Sequence, residues 1–142
     1  MRHRKLSTKL SRPTAHRQAM LSNMVKSLFQ YSRIQTTLPK ARVASSLADK
    51  MITLAKKKDL SAERRAAQFL VDRSVIKRLF REIGPRFEGR NGGYTRVIRL
   101  GRRPGDRASM AILELTDYVP PVSSSMTGEE AKGKNKLEEA KA

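Results

Sequence analysis

The first 48 residues hold ten Lys and Arg and not one Asp or Glu; the first acid is Asp49. It is one polarised positive segment with no acid of its own, and such a segment calls for a polyanion. The imbalance is polarised along the chain. Residues 49–118 hold seventeen basic and nine acidic residues, and residues 119–142 hold four of each. A formal charge of +18 on 142 residues makes the chain repel itself without counter-charge. Attraction to phosphate is the usual meaning of that balance.

The length suits one domain with a modest core, and 38% hydrophobic residues are enough to fold it. The longest apolar runs are far too short to span a bilayer. The absence of cysteine excludes a disulfide framework, a thiolate zinc site and a thiol nucleophile, and fits a reducing compartment. The opening Met1–Leu10 is Arg-rich, hydroxyl-bearing and acid-free, as a mitochondrial transit peptide would be. Against that reading, Leu6 and Leu10 are its only large apolar residues after Met1, and Pro13 interrupts soon after.

Residues 1–13 read as an extended basic arm, disordered until bound. Thr14 is a candidate N-cap. Leu21, Met24, Val25, Leu28 and Phe29 then recur as one helical stripe over 14–31. Arg33–Thr37 alternates and is β-branched, which predicts a short strand. Pro39 opens a second helix through about Lys57, with Val43, Leu47, Met51, Leu54 and Ala55 on its apolar side. The Lys56-Lys57-Lys58 run suits a helix C-terminus as well as it suits RNA contact. Ser61 is expected to cap a third helix through about Val71. Asp72 is expected to cap a fourth, striped by Val75, Ile76, Leu79, Phe80 and Ile83 and stopped by Gly84-Pro85. Residues 84–93 read as a glycine-rich basic loop.

Tyr94–Leu100 and Met110–Thr116 read as an antiparallel hairpin around the Gly101–Asp106 turn. With the strand at 33–37 they give a two-layer α/β (α+β) domain over 14–118: a small mixed three-stranded sheet, four helices on one face, and the basic arm. From Val119 onward, Pro120-Pro121, three serines and a Lys/Glu/Ala mixture predict a disordered tail or a marginal helix.

Catalysis has poor material here. His3 and His16 lie in or beside the arm with no carboxylate near in sequence, and nothing resembles a nucleophile elbow. His3 could form an amino-terminal copper or nickel site, but Arg2 and Arg4 disfavour a second cation. The 84–93 loop lacks the Gly-Lys-Ser/Thr ending of a nucleotide-binding loop and follows a helix instead of a strand. Its glycines either serve a flexible connection or let the backbone approach a sugar-phosphate chain, helped by Arg86 and Arg90. Phe87 and Tyr94 could stack on bases, though aromatics flanking a hairpin more often belong to a core. Arg96 and Arg99 fall on opposite faces of their strand. Arg102, Arg103 and Arg107 cluster at the turn with a single acid, Asp106, which points to RNA backbone.

Several segments together carry a family resemblance. They are Met1-Arg2-His3-Arg4-Lys5, Leu10, Arg12, His16–Met20 with Asn23-Met24, Thr36–Ala41, Ile52–Lys56, Leu79-Phe80 with Gly84–Phe87, and Gly92–Arg96. In this order and spacing, from Met1 to about Tyr118, the chain resembles the bacterial large-subunit ribosomal protein of the L-seventeen family. The resemblance implies a two-layer domain with an N-terminal extension and a structural, non-enzymatic role in the cytoplasmic ribosome. It also implies binding to large-subunit rRNA near the peptide tunnel exit, beside neighbouring subunit proteins. The mature chain of that family begins with the same arm, which argues against a transit peptide.

The expected RNA-binding residues are Arg2, His3, Arg4, Lys5, Lys9, Arg12, His16 and Arg17 in and beside the arm, and Lys40 and Arg42 at the start of the second helix. Arg86, Arg90, Arg96, Arg99, Arg102 and Arg103 complete the set. Recognition should be by RNA shape and backbone. No cofactor, metal, small-molecule substrate or membrane is expected. The rival is a DNA-binding nucleoid-type or helix-turn-helix protein, with Lys77, Arg78 and Arg81 on its reading helix.

Overall fold

The computed structural model describes residues 9–117. Its elements run α1 (Thr14–Tyr31), β1 (Arg33–Thr37), α2 (Leu38–Lys56), α3 (Leu60–Leu70) and α4 (Arg73–Arg78). A π-helical turn (Leu79–Ile83) and a short α5 (Gly84–Arg86) follow, then β2 (Thr95–Arg102) and β3 (Ser109–Leu115). The strands form one sheet in the order β1-β3-β2. Both pairings are antiparallel, so the sheet is not the mixed one expected.

The helices cover one sheet face. Ala111, Leu113 and Leu115 of β3 point into them and are fully buried, and alternation sends Ile112 and Glu114 to the open face. The α1 stripe buries Leu21, Val25, Leu28 and Phe29 as its spacing predicts, and Met24 stays half-exposed on the flank. In α2, by contrast, Ala41, Ala44, Ala48, Ile52 and Ala55 are buried more completely than the expected Leu47 and Leu54. Small side chains let α2 approach the sheet, α1 and the π-turn closely, because close packing leaves no room for larger ones. A hydroxyl–carboxylate chain fixes α2 to β2: Thr95 Oγ1 donates to Asp49 Oδ1 (3.0 Å) and lies 2.8 Å from Ser45 Oγ. Burial pushes the Asp49 carboxyl up, partly offset by that bond from Thr95.

Several boundaries differ from expectation for local reasons. Thr14 is the first helical residue and makes no cap bond; Pro13 precedes it and its carbonyl accepts Arg17 N–H at 2.9 Å. Asp59, not Ser61, sits at the α3 N-cap, and the Ser61 hydroxyl donates to its carboxylate. Asp72 does cap α4, its Oδ1 accepting Ser74 N–H at 3.0 Å, and it also pairs with Lys26 of α1 at 2.6 Å. Gly84-Pro85 does not stop the helix. Pro85 has no N–H and its ring crowds the carbonyl four residues back. The π-turn, in which Gly84 N–H reaches Leu79 O, widens the helix just before the proline and carries it on to Arg86. Gly84 is therefore a packing residue in helical backbone and not a loop residue. A Cβ on it would lie 3.1 Å from Ala55 Cβ and 3.3 Å from the Ala55 carbonyl.

The start and end of the described chain also refine the expected layout. Residues 9–12 form a turn (Arg12 N–H to Lys9 O, 3.3 Å), and Leu10 rests against the core. Residues 9–12 are thus a turn and not extended chain, while Arg2, His3, Arg4 and Lys5 lie outside the described residues, as do Tyr118 and the expected tail over 119–142.

Two predictions follow from this packing. Gly84→Ala destabilises by about 1–3 kcal/mol through overpacking against α2, measurable by urea unfolding. The Asp72 carboxyl is held well below the usual carboxylate range, first by the bond from Lys26 and then by Ser74. A depressed pKa means its contribution is complete above the unfolded value of about 4 and is lost as the pH falls toward the folded value. Asp72→Asn therefore lowers the melting temperature at neutral pH, and the gap to the unsubstituted chain closes in strong acid.

Candidate nucleic-acid interface

Strand register decides which cations can act together. Thr37 at the end of β1 pairs with Met110 at the start of β3, and Gly101 of β2 pairs with the same Met110. The α2 N-terminus and the β2–β3 turn therefore emerge at one end of the sheet. α1 leads straight into β1 and runs back alongside it. It is about 27 Å long at 1.5 Å per residue, and His16 lines the same cleft as Thr36. This brings Lys9, Arg12, His16 and Arg17 to that end too. Lys40 stands in the first turn of α2 and Arg42 directly follows it; that turn contains no acid and presents backbone N–H groups suited to phosphate.

At the hairpin, the residues of the turn have distinct jobs. Arg103 is not free: its Nε and Nη2 grip Asp106 at 2.8 and 2.6 Å. Asp106 also accepts Ala108 N–H at 3.1 Å, while Arg103 N–H bonds to Ala108 O at 3.1 Å. The pairing with Arg103 first, and the Ala108 N–H second, hold the Asp106 carboxyl well below its usual range, and Asp106 in turn raises Arg103. The turn is thus closed by its own ion pair. Arg99, Arg102 and Arg107 around it are exposed and have no carboxylate partner among the described residues. Asp106, the one acid of this end among the described residues, is already neutralised.

The other expected site residues lie elsewhere and are occupied. Arg86 pairs with Asp117 (3.5 Å) and Arg90 donates to Thr116 Oγ1 (2.8 Å), both beyond the opposite end of the sheet. Arg96 lies on the open face, its Nη2 and Nε donating to Glu114 Oε1 at 2.6 and 3.0 Å. Arg33 of β1 approaches the other oxygen at 3.6 Å. A carboxylate only 4% exposed on an open sheet face is thereby covered by guanidinium from both neighbouring strands. Sequence reading missed Arg33 and Glu114, because a cross-strand triad shows only once the β1–β3 register is known.

The aromatic and lysine candidates resolve to structure. Phe87 and Tyr94 are buried and meet edge to face at 5.3 Å, so they belong to the core and not to a stacking platform. Lys56 Nζ donates to Arg90 O at 2.5 Å and lies 3.3 Å from the Tyr94 hydroxyl, and Lys58 pairs with Glu88 at 3.0 Å. Those lysines pin the 87–94 segment to the end of α2. The rival DNA-reading helix is also weakened. Arg78, which would lie at its centre, donates to Gln30 O at 2.5 Å and pairs with Glu82 at 3.3 Å. Among the described residues no group of His, Asp and Glu is arranged to hold a metal ion, and no helix is long and apolar enough to cross a membrane.

A family model described as ribosomal protein L17 matches residues 20–116. The large ribosomal subunit protein bL17 of Geobacter sulfurreducens is 51% identical over 117 residues, covering 82% of this chain and 67% of its own length. That of Trichlorobacter lovleyi is 48% identical over 124 residues, covering 87% of this chain and all of its own. That of Alkaliphilus metalliredigens is 53% identical over 107 residues, covering 75% and 95%. The chain belongs to the ribosomal protein L17 family, structural proteins of the bacterial large ribosomal subunit and not enzymes.

Proposed function

We propose that the chain binds large-subunit rRNA through the end of the domain that carries the unpaired cations, and helps hold converging RNA segments together near the peptide tunnel exit of the cytoplasmic ribosome. One observation carries the RNA reading. Lys9, Arg12, His16, Arg17, Lys40, Arg42, Arg99, Arg102 and Arg107 converge at one end, where the single described acid is consumed by Arg103. The residues Arg2, His3, Arg4 and Lys5 precede this end in sequence and extend its charge. The tunnel-exit location rests on the family resemblance alone. Contact with neighbouring subunit proteins is part of the same proposal.

The reading orders the arginines. Unpaired Arg99, Arg102 and Arg107 contact phosphate. Arg103 shapes the turn and contributes through it. Arg86, Arg90 and Arg96 serve internal bonds first. Recognition is by backbone shape, because an exposed loop of arginines has no fixed frame for reading base edges.

If about eight phosphates are neutralised, affinity for an isolated rRNA fragment falls by roughly three to five decades between 50 and 200 mM salt, measured by filter binding. A salt slope near zero refutes the reading. Arg102→Ala reduces that slope by about one, whereas Arg86→Ala leaves it unchanged. Deleting residues 2–8 leaves the melting temperature intact and impairs incorporation into the subunit. Extending the deletion through Arg12 also costs stability, because Leu10 rests on the core.

A further inference from the structure

The segment that joins the helices to β2 is fixed at two points and open between them. Arg90 N–H bonds to Phe87 O at 3.0 Å, and Arg90 O accepts from Lys56 Nζ. Further on, Tyr94 is buried and its carbonyl accepts Thr116 N–H at 3.0 Å. Asn91, Gly92 and Gly93 lie between these anchors, all exposed and outside any helix or strand. Their polar groups make no hydrogen bond among the described residues. Gly92 has φ +152°, and a Cβ built on it would meet nothing within 4 Å.

This arrangement sets an electrophile beside a nucleophile. The side-chain carboxamide carbon of Asn91 can close a five-membered ring with the Gly92 amide nitrogen. Gly92 has no Cβ to obstruct that approach, and its N–H has no bond to give up first. The attacking species is the amide anion, which nearby positive charge favours. Lys56 and Arg90 supply that charge. Their partners are Arg90 O, the Tyr94 hydroxyl and Thr116 Oγ1, and none of these is a carboxylate. The chain has three asparagines, and Asn91 alone precedes a glycine. Asn23 precedes Met24 inside α1, and Asn135 precedes Lys136.

We propose that Asn91–Gly92 is a self-modifying site, at which the chain deamidates through a succinimide without an enzyme. The Gly92 nitrogen bonds to Asn91 Cγ, the Cγ–Nδ2 bond breaks, and ammonia leaves with the proton of the Gly92 N–H. Water then opens the ring. Cleavage of the new bond to Cγ gives aspartate. Cleavage at the main-chain carbonyl carbon gives isoaspartate, whose backbone runs through Cβ and Cγ. Either product is ionised at neutral pH and sets a negative charge next to Arg90. Isoaspartate also adds one carbon, about 1.5 Å of main chain, between anchors that the three residues 91–93 already span. The slack loosens the tie between β2 and the end of α2. This corner lies at the opposite end of the sheet from the unpaired cations and does not rest on the RNA reading.

The test incubates the folded full chain in mildly alkaline buffer and follows its peptides by mass spectrometry. An isoaspartate-specific carboxyl methyltransferase with labelled S-adenosylmethionine counts the isoaspartyl product. Asn91 converts to aspartate and isoaspartate at a rate that rises with pH, while Asn23 and Asn135 stay amides. Because nothing holds residues 91–93, the folded chain reacts nearly as fast as chain unfolded in guanidinium. Asn91→Gln needs a six-membered ring and lowers methyl incorporation ten-fold or more. Hydroxylamine added to the unsubstituted folded chain attacks the ring and cuts between Asn91 and Gly92, a readout that needs no variant. The isoaspartyl fraction, separated by cation exchange, melts below both the unmodified chain and Asn91→Asp. The proposal is overturned by an intact Asn91, by a folded-state rate ten-fold or more below the unfolded one, or by the absence of hydroxylamine cleavage. It is equally overturned by methyl incorporation indifferent to Asn91→Gln, or by an isoaspartyl fraction that melts with the unmodified chain.

Discussion

The register of β3 governs the rest of the molecule. Residues Ala111 to Leu115 are five consecutive buried positions, the only central strand of the sheet, with partners on both sides. Three of them pack on the helices, and the other two carry Ile112 and Glu114 on the open face. A slip of one residue would exchange those sets, burying Glu114 among Leu28, Phe29 and Ala44 and exposing three apolar side chains. It would also separate Glu114 from Arg33 and Arg96. The core, the arginine–glutamate triad and the co-location of the α2 N-terminus with the hairpin turn therefore share one constraint.

That constraint sorts the charges. At the end where β1 begins and β3 finishes, cations are matched: Arg33 and Arg96 to Glu114, Arg86 to Asp117, Arg90 to Thr116. At the other end they are left unmatched, and the one ion pair there closes the turn that displays its neighbours. An exposed pair such as Arg103–Asp106 contributes little stability. The effect of these pairs is distribution, since each one withdraws an arginine from competition for phosphate and leaves the remaining ones concentrated.

Much of this was legible in the sequence. The stripes of α1 and α4, the strand at 33–37, the hairpin and the Asp72 cap follow from spacing and residue type. What escaped has physical reasons. Alanine carries little weight in a hydrophobic stripe, so spacing assigns the close-packing side of α2 partly to Leu47 and Leu54. Gly-Pro ordinarily ends a helix, and only the buried contact of Gly84 with Ala55 explains why a widened turn continues it. An arginine on a strand looks like a ligand contact until register supplies its carboxylate, as at Arg96.

The strand order also sets a timetable. Ile34 must wait for Leu113, made roughly 80 residues later, before β1 has any neighbour. At bacterial synthesis rates of about 5–20 residues per second, that interval is on the order of 4–16 seconds. Throughout it, α1, β1 and α2 exist without the strand that joins them, and closing so long a loop is a slow step. Mutual repulsion among the positive charges of the acid-free first 48 residues keeps such half-made chains apart while the last strand is being translated.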